Sequence, residues 1–305
     1  MTTPTPDIII LRYGEISLKT PYVRRLFETR LIHNIHHPLQ QAGIPHTLSR
    51  QRGRIYLHTT HIHQSLPILA HTSGIVSYSP ATQTTTDLPT LTQTTLTIAT
   101  PLLTPTTSFA LRVTRTGTHP YTSQDAATKI GAAVVTATRA PVDLTNPDHE
   151  IHIEIRGNKA YLFTEKTHGI GGLPVGTQGT VTILITRPSD ILAAWYMIHR
   201  GCTILPVLAN TTYEHMLTRF LDRWHLNATP VPLDPTNRDF PTRLTSLLTE
   251  TDCDALATGA SLADPTTTLK ELAHLKSIVN LPILTPIIAL TDQEITTQCA
   301  QKEIT

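Results

Sequence analysis

The sequence predicts a multidomain chain of the α/β class, and three patterns support that prediction. Strand-like and helix-like segments alternate over roughly the first 75 residues. Two strictly alternating segments, 150–155 and 160–164, flank a Gly-Asn turn, which is typical of a β-hairpin. From residue 181 onward, short apolar strands alternate with helices, which indicates a parallel sheet with helices on both faces. A length of 305 residues is consistent with two or three domains.

The elements of the first half follow from hydrophobic periodicity and from residues that start or stop a helix. We predict strands at 8–12, 53–57 and 109–113 and helices at 24–34, 61–69, 88–103 and 123–138. Pro38 is expected to end the first of these helices, because proline lacks a backbone N–H and clashes with the preceding turn. Ser123 is expected to cap the last one, with Asp125 in its first turn.

A glycine-rich segment at 169–179 is expected to be a linker or a domain boundary, since glycine is conformationally permissive. Beyond this segment, apolar runs predict the strands, and apolar residues at helical spacing predict the helices. We predict strands at 181–185, 203–208, 255–258 and 283–284 and helices at 191–200, 212–225, 241–250, 267–278 and 291–302.

The stretch 181–201 combines a buried strand, a tight turn and a helix that stops at Gly201. A strand that turns directly into a helix aims backbone N–H groups and the positive helix end at one point, where α/β proteins bind phosphate. Such a loop normally contains glycine, so that the backbone can approach the anion. This loop has none, and its Pro188 has no N–H to donate. The architecture therefore predicts a nucleotide site that the residues themselves do not favour.

Charge is unevenly distributed, although the formal net charge is only +1. Residues 1–75 carry eight Lys/Arg against three Asp/Glu, residues 76–170 are balanced, and residues 171–305 carry nine against thirteen. A basic N-terminal third predicts a polyanionic partner there, the alternative being a solvated surface.

Cysteine and histidine usage argues against a disulfide framework and against a metal site. Cys202, Cys253 and Cys299 are isolated, and the first two are expected to be packed rather than nucleophilic. The sixteen histidines lack cysteine or carboxylate companions at ligand spacing, so no metal is predicted. No apolar run approaches about 18 residues and no signal-peptide pattern is visible, so we expect a cytoplasmic protein without a membrane span.

Several motifs occur in the order that is found in one known family. They are RYGEISLK at 12–19, GIVSYSPA at 74–81, the segment 142–161, GGLPVG at 171–176 and TGASL at 258–262. By these motifs the chain resembles the tRNA 4-thiouridine synthases, also called tRNA sulfurtransferases. The resemblance implies a ferredoxin-like α+β domain at 1–75, a THUMP domain at 76–170 and a Rossmann-like, parallel α/β PP-loop domain at 171–305. The last is expected to be degenerate and short at its C-terminal end.

The resemblance also implies a division of labour among the three domains. The first two are expected to hold a tRNA by its acceptor end, and the third to bind ATP and adenylate the carbonyl of uridine 8, after which a cysteine persulfide displaces AMP. Cations on a rigid scaffold bind RNA phosphates without reading sequence. The candidate RNA-binding residues are Arg12, Lys19, Arg24, Arg25, Arg52, Arg54, Arg112, Arg115 and Lys129. Glu15 and Glu154 are expected to be structural partners of nearby arginines.

The ATP loop of the family reads SGGxDS, and this chain has Thr186-Arg187-Pro188-Ser189-Asp190 in its place. Both glycines are absent, Asp190 is the one catalytic candidate, and Arg187 is a candidate side-chain clamp for phosphate. The candidate nucleotide-binding residues are Leu184, Ile185, Thr186, Arg187, Ser189, Asp190, Arg238 and Gly259. ATP and Mg²⁺ are the expected cofactors if the site is active, and none is expected otherwise.

The cysteine that carries sulfur in the family lies beyond the last helix, and no residue up to Thr305 matches it. Sulfur is therefore expected from a sulfur-carrier protein or a cysteine desulfurase, and a homodimer is left open. Three interpretations remain. The chain is a tRNA-binding protein in thiolation with weak or no ATP chemistry of its own, an active sulfurtransferase that uses a separate carrier, or a pseudo-enzyme whose third domain is an interaction module.

Overall fold

The computed structural model describes residues 6–51 and 53–304, which form two compact units. The first unit comprises the chain up to Arg12, Leu39–Pro67 and Ser77–His168. The second comprises Tyr13–Pro38, Ile68–Val76 and the chain from Gly169 onward. Among the described residues, no helix is both long and apolar enough to span a bilayer.

Helices and strands alternate along most of the chain. The helices are α1 (Pro21–Gln41), α2 (Ile62–Ala70), α3 (Leu88–Leu102), α4 (Ser123–Thr138), α5 (Pro188–His199), α6 (Glu214–Arg223), α7 (Phe240–Glu250), α8 (Pro265–Ile278) and α9 (Asp292–Gln301). The strands of the first unit are β1 (Ile8–Arg12), β2 (Thr47–Gln51), β3 (Arg54–His58), β4 (Ser77–Thr84), β5 (Phe109–Thr116), β6 (His149–Arg156), β7 (Lys159–Phe163) and β8 (Thr167–His168). The strands of the second unit are β9 (Thr180–Ile185), β10 (Thr203–Leu208), β11 (Val231–Pro232), β12 (Ala255–Ala257) and β13 (Ile283–Leu284).

The first unit contains a mixed sheet in the order β2-β3-β1-β4-β7-β6-β5, with β8 paired to β4. Strand β4 holds it together, because its first residues pair with β1 and its last, from Thr82 onward, pair with β7. The predicted hairpin is confirmed as β6 and β7, and β5 runs parallel to β6. The register places Arg112 beside His152 and Thr114 beside Glu154, so polar side chains of β5 and β6 share one face.

The second unit is built on a five-stranded sheet in the order β11-β10-β9-β12-β13, and every pairing in it is parallel. The parallel α/β arrangement predicted from the sequence is therefore confirmed. Side chains of the central strand β9 reach two different cores: Ile183 and Ile185 pack with α5 and α6, and Leu184 packs with α7 and α8. Burial on both faces explains why the last three residues of this strand are all apolar.

Helix α1 runs through Pro38, so the prediction that this proline ends the helix is wrong. Leu31, Ile35 and Leu39 recur every four residues and are at most 1% exposed. Continuing the helix buries Leu39 on that same face, which contributes about 1.5–3 kcal/mol. This gain is comparable to the roughly 3 kcal/mol that an interior proline costs.

The cap of α4 is Thr122 rather than Ser123. Thr122 Oγ1 accepts from the Asp125 backbone N–H at 3.1 Å, and Asp125 Oδ2 accepts from the Thr122 N–H at 2.9 Å. This reciprocal pair is a capping box. The predicted cap was one residue off because serine and threonine are both favoured at this position.

Candidate functional site

The connection between β9 and α5 is shorter than the sequence predicts, because the helix begins at Pro188 and not at Ile191. The strand ends at Ile185 and the helix begins at Pro188, so only Thr186 and Arg187 lie between them. Proline is favoured in the first turn of a helix, since the N–H groups there have no partner within the helix. The loop lies at the carboxyl end of the central strand, where parallel sheets bind their ligands.

Asp190 is fully buried, and its carboxylate accepts hydrogen bonds from the residues of this loop. Its Oδ2 accepts from the backbone N–H of Thr186 at 2.8 Å, the N–H of Arg187 at 3.0 Å and the hydroxyl of Thr186 at 2.8 Å. Its Oδ1 accepts from the N–H of Gly259 at 2.6 Å and the hydroxyl of Thr258 at 3.1 Å. The N–H groups that a phosphate loop would present to an anion therefore point at a carboxylate of the chain itself.

Arg187 is already paired. Its Nη2 donates to Glu271 Oε2 at 2.7 Å and its Nη1 donates to Oε1 at 3.3 Å, a bidentate arrangement with α8. Burial lowers the pKa of Arg187, but the hydrogen bond to Glu271 and the charges of Asp190 and Glu271 outweigh burial and raise it. To bind a phosphate, this guanidinium would first have to release the carboxylate of Glu271.

A cavity of about 350 Å³ adjoins the loop and is lined in part by Arg187, Ser189 and Gly259. Ser189 Oγ donates to the carbonyl of Gly259 at 2.9 Å, so the start of α5 contacts the second residue after β12. Gly259 has no room for a side chain, because a Cβ there would lie 2.2 Å from the Ser189 carbonyl. The structure thus places Arg187, Ser189 and Gly259 at the cavity. Thr186 lies in the same loop, and its N–H is bonded to the buried Asp190.

The remaining nucleotide-binding candidates lie apart from that cavity. Leu184 and Ile185 are buried strand residues, 6% and 0% exposed. Arg238 is exposed in the segment between β11 and α7, and it does not line the cavity.

A second candidate site is a basic cavity of about 280 Å³ within the first unit. It unites three of the predicted RNA-binding residues with cations that the sequence analysis missed. The charged side chains that line it are Arg12, Arg54, Arg112, Arg156, Lys166 and Glu154. The excess of positive charge over a single carboxylate favours a polyanion.

Glu154, 7% exposed, is the centre of this basic cavity. Arg12 Nη2 lies 2.8 Å from its Oε1, Arg54 Nε lies 3.1 Å from its Oε2, and Arg156 Nε lies 3.4 Å from Oε2. Burial by itself would raise the pKa of Glu154, but Arg12 and Arg54 lower it to about 2. The expected structural role of Glu154 is confirmed, whereas Glu15 lies 3.7 Å from Arg200 within the second unit, in an exposed pair.

The wall of the basic cavity contains an aromatic ring as well as cations. His152 stacks on Phe163 with 4.9 Å between ring centroids, and the Arg12 guanidinium lies 4.8 Å from the centre of the same phenyl ring. Arg112 Nε donates to Glu150 Oε1 at 2.8 Å, and this pair is more than one third exposed. A rigid wall with exposed cations is suited to a phosphate backbone.

The other RNA-binding candidates do not join the basic cavity. Arg115 and Lys129 belong to the first unit without lining it; Arg115 donates to the carbonyl of Gly117, and Lys129 is exposed on α4. The second unit contains three candidates, namely Lys19, Arg24 and Arg25. Arg24 Nη2 is engaged by the carbonyls of Ser17 and Lys19, and Arg25 is exposed. Arg52 lies outside the described residues.

The alternation of side chains along a strand is the pattern that could have identified Arg156 as an RNA-binding candidate. In β6, His152, Glu154 and Arg156 are two apart and therefore share a face. Arg112 lies on the same face of the neighbouring strand β5, beside His152. Once β5 and β6 are taken as neighbours, Arg156 becomes a member of the basic face.

The cysteines offer no nucleophile. Cys202 and Cys253 are buried, as predicted, and Cys299 is half-buried. Burial raises the pKa of the Cys202 and Cys299 thiols, whereas a reactive cysteine needs a lowered pKa. Over residues 6–51 and 53–304, no group of three or more His, Cys, Asp or Glu side chains is placed to hold a metal ion.

Comparisons with known proteins agree with this architecture. Three family models match: the ThiI ferredoxin-like domain over 8–79, the THUMP domain over 85–165 and thiamine biosynthesis protein (ThiI) over 240–304. Crystal structures of similar fold include PH1313 from Pyrococcus horikoshii, with 28% identity and a TM-score of 0.84 over 96% of this chain and 98% of that one. A 4-thiouridine synthetase–RNA complex with bound ATP shares the fold at 21% identity and a TM-score of 0.81, over 97% and 85% of the two chains.

Curated relatives are named probable tRNA sulfurtransferases. The protein from Methanosarcina acetivorans is 39% identical over 68% of this chain, but the match spans only 52% of that relative. The protein from Methanobrevibacter smithii is 32% identical over 95% of this chain and 84% of the relative. The chain therefore belongs to the tRNA sulfurtransferase family.

Proposed function

We propose that this chain binds tRNA by its acceptor end in the cytoplasm, for thiolation at uridine 8, and has weak or no ATP-dependent chemistry of its own. In this proposal, domains at 1–75 and 76–170 hold the tRNA, and the domain at 171–305 retains the PP-loop fold. A sulfur-carrier protein or a cysteine desulfurase supplies the sulfur.

The buried carboxylate of Asp190 is the observation that supports weak ATP chemistry. Two backbone N–H groups of the loop, from Thr186 and Arg187, are bonded to it, and Pro188 has no N–H. A pyrophosphate would have to compete with a charge-assisted network that is already complete. Preorganised donors matter greatly, since the loss of one such donor costs an enzyme about 2.7–4 kcal/mol of transition-state stabilisation.

The basic cavity of the first unit supports the tRNA-binding part of the proposal. Arg112 and Lys166 line it, and Lys166 has no ion pair within the described part of the chain. Family membership points the same way, since the relatives are named for an activity on tRNA. A protein of the same fold has been solved with RNA and ATP bound.

An active sulfurtransferase is the second candidate, and one observation favours it. The cavity of about 350 Å³ beside the loop has the size of a small ligand site. The Nε of Arg187, which lines it, has no hydrogen-bond partner among the described residues.

The proposal predicts tRNA binding that weakens steeply with salt. Replacing both Arg112 and Lys166 by glutamine should weaken binding on all tRNA sequences. It should also reduce the slope of log K against log salt by about one for each phosphate that the variant no longer neutralises. The measurement is filter binding of a tRNA transcript over a salt series. Lys270→Gln, an exposed lysine on α8, is the matched control and should leave the slope unchanged.

The same preparations, incubated with tRNA, ATP-Mg²⁺ and sulfide, report on chemistry through AMP release and 4-thiouridine. Tight tRNA binding without product is the expected result. Robust AMP and 4-thiouridine would establish the active sulfurtransferase instead. Failure to bind tRNA at low salt would refute both.

A further inference from the structure

A third cavity, of about 250 Å³, lies in the second unit on the side away from the nucleotide loop. Thr203 and Ile204, at the start of β10, form part of its wall. The nucleotide loop follows the carboxyl end of β9, which runs parallel to β10. The third cavity therefore lies at the amino ends of these parallel strands, and the cavity beside the nucleotide loop lies at their carboxyl ends.

The ionisable side chains that line this third cavity are all basic. Helix α1 contributes Arg30, His33 and His37, the segment after α2 contributes His71, and the segment after α6 contributes His225. Among the described residues, no aspartate or glutamate lines it.

Arg30 is held at the cavity without a carboxylate. Within the part of the chain that the structure describes, its guanidinium makes no ion pair. Gly176, with φ +86°, leaves room for it, since a Cβ at 176 would lie 3.2 Å from Arg30 Cζ. The neighbouring amide of Asn34 donates to the Val175 carbonyl at 3.0 Å and fixes α1 against this segment. An arginine held in this way presents its donors to the cavity.

Trp224 forms part of the same wall with its ring, whereas its indole nitrogen is buried. The side chain is 6% exposed and lines the cavity, and its indole N–H has no acceptor among the described residues. An indole nitrogen can only donate, and a buried donor without a partner costs about 1–3 kcal/mol. His225 follows directly with φ +52°, the left-handed conformation that ends helix α6, and the Leu226 N–H donates to the Leu221 carbonyl at 2.9 Å.

We propose that this cavity is a phosphate-binding site, distinct from the nucleotide loop, whose affinity rises as His225 takes up a proton. A guanidinium and several imidazoles are donors that match the acceptor oxygens of a phosphate group. Burial and the charge of His71 lower the pKa of His225, so the empty cavity favours neutral His225. A bound dianion reverses that preference, and binding is therefore coupled to proton uptake.

The test titrates the full chain with inorganic phosphate by isothermal calorimetry at about pH 8 and about pH 6.5, in buffers of different ionisation enthalpy. Proton uptake is measured with sulfate, a dianion that does not itself titrate in this range. Affinity should be higher at the lower pH, by up to about thirtyfold over this interval, since one linked proton changes affinity by up to about tenfold per pH unit. Arg30→Met should weaken binding about tenfold or more, because a hydrogen bond to a charged group is lost. His36→Gln, on α1 but outside the cavity, is the control and should bind like the wild type.

Two further arms identify where the phosphate comes from. AMP that binds more tightly than inorganic phosphate, with the same dependence on Arg30, assigns the site to a free nucleotide. Displacement of phosphate by tRNA, with weaker tRNA binding by Arg30→Met, assigns it to an RNA backbone. Phosphate binding that responds to Arg187→Met but not to Arg30→Met would overturn the proposal, as would binding without proton uptake. These outcomes are independent of whether the chain thiolates tRNA.

Discussion

Replacing Glu154 by glutamine is expected to destabilise the first unit by about 3–5 kcal/mol, because it leaves buried arginines without their counter-charge. Glu154 is 7% exposed and accepts hydrogen bonds from Arg12, Arg54 and Arg156. Glutamine keeps one acceptor oxygen but removes the charge, and Arg12 is itself buried. The loss should therefore exceed that of an ordinary surface ion pair.

Two different probes distinguish unfolding of the first unit from unfolding of the second. Hydrogen exchange of the β6 and β7 amides reports on the first unit, whereas the only two tryptophans, Trp195 and Trp224, lie in the second. Glu150→Gln is the matched control on the same strand, since its pair with Arg112 is half-exposed and should contribute at most about 1 kcal/mol. Equal effects of the two substitutions would show that Glu154 does not organise the basic cavity.

The stabilisation from Glu154 also has a defined pH dependence. Its pKa in the folded chain is about 2, below the ordinary value of 4.5. A lowered folded pKa means that the contribution is complete above about pH 5 and is lost as the pH falls toward 2. The difference in unfolding free energy between the wild type and Glu154→Gln should narrow over that interval.

Replacing Asp190 by alanine is expected to destabilise the second unit by about 3–5 kcal/mol, because each buried N–H left without an acceptor costs about 1–3 kcal/mol. Three backbone N–H groups lose their acceptor, those of Thr186, Arg187 and Gly259. These groups are coupled, so their individual costs are not simply additive. The start of α5 and the end of β12 should loosen together.

Trp195 lies on α5 and is 5% exposed, so its fluorescence reports directly on this region during urea unfolding. Ser189→Ala, which removes one hydrogen bond to the Gly259 carbonyl, is the control and should cost about 1 kcal/mol. If Asp190→Ala shifts the urea midpoint no more than Ser189→Ala does, the carboxylate does not hold the loop closed.

The sequence predicted elements well where a local pattern determines them. The apolar run at β9, the Gly-Asn hairpin at β6–β7 and the spacing of α4 are all complete within short windows. Strand β4 was not predicted, because its sequence SYSPATQT contains a proline and many small polar residues. It becomes a strand through partners on both sides, β1 and β7, which no local window contains.

The sites depend even more on distant partners. The sequence identified the loop without glycine, yet the orientation of Asp190 depends on Thr258 and Gly259, almost 70 positions further along the chain. Arg12 and Glu154 are separated by 142 positions, and only their place on adjacent parts of one sheet brings them together. Residue types predicted the chemistry of each site, and the fold determined which residues meet.

Equilibrium dialysis of the full chain against labelled ATP with Mg²⁺ tests the central claim most directly, because it measures whether the loop can hold a triphosphate at all. With Thr186 and Arg187 bonded to Asp190, we expect no saturable binding at the loop below about 1 mM ATP, a free energy weaker than about −4 kcal/mol. Arg30→Met is included so that binding at the third cavity is recognised and subtracted. Saturable micromolar binding that persists in Arg30→Met and is lost in Arg187→Met would contradict the account.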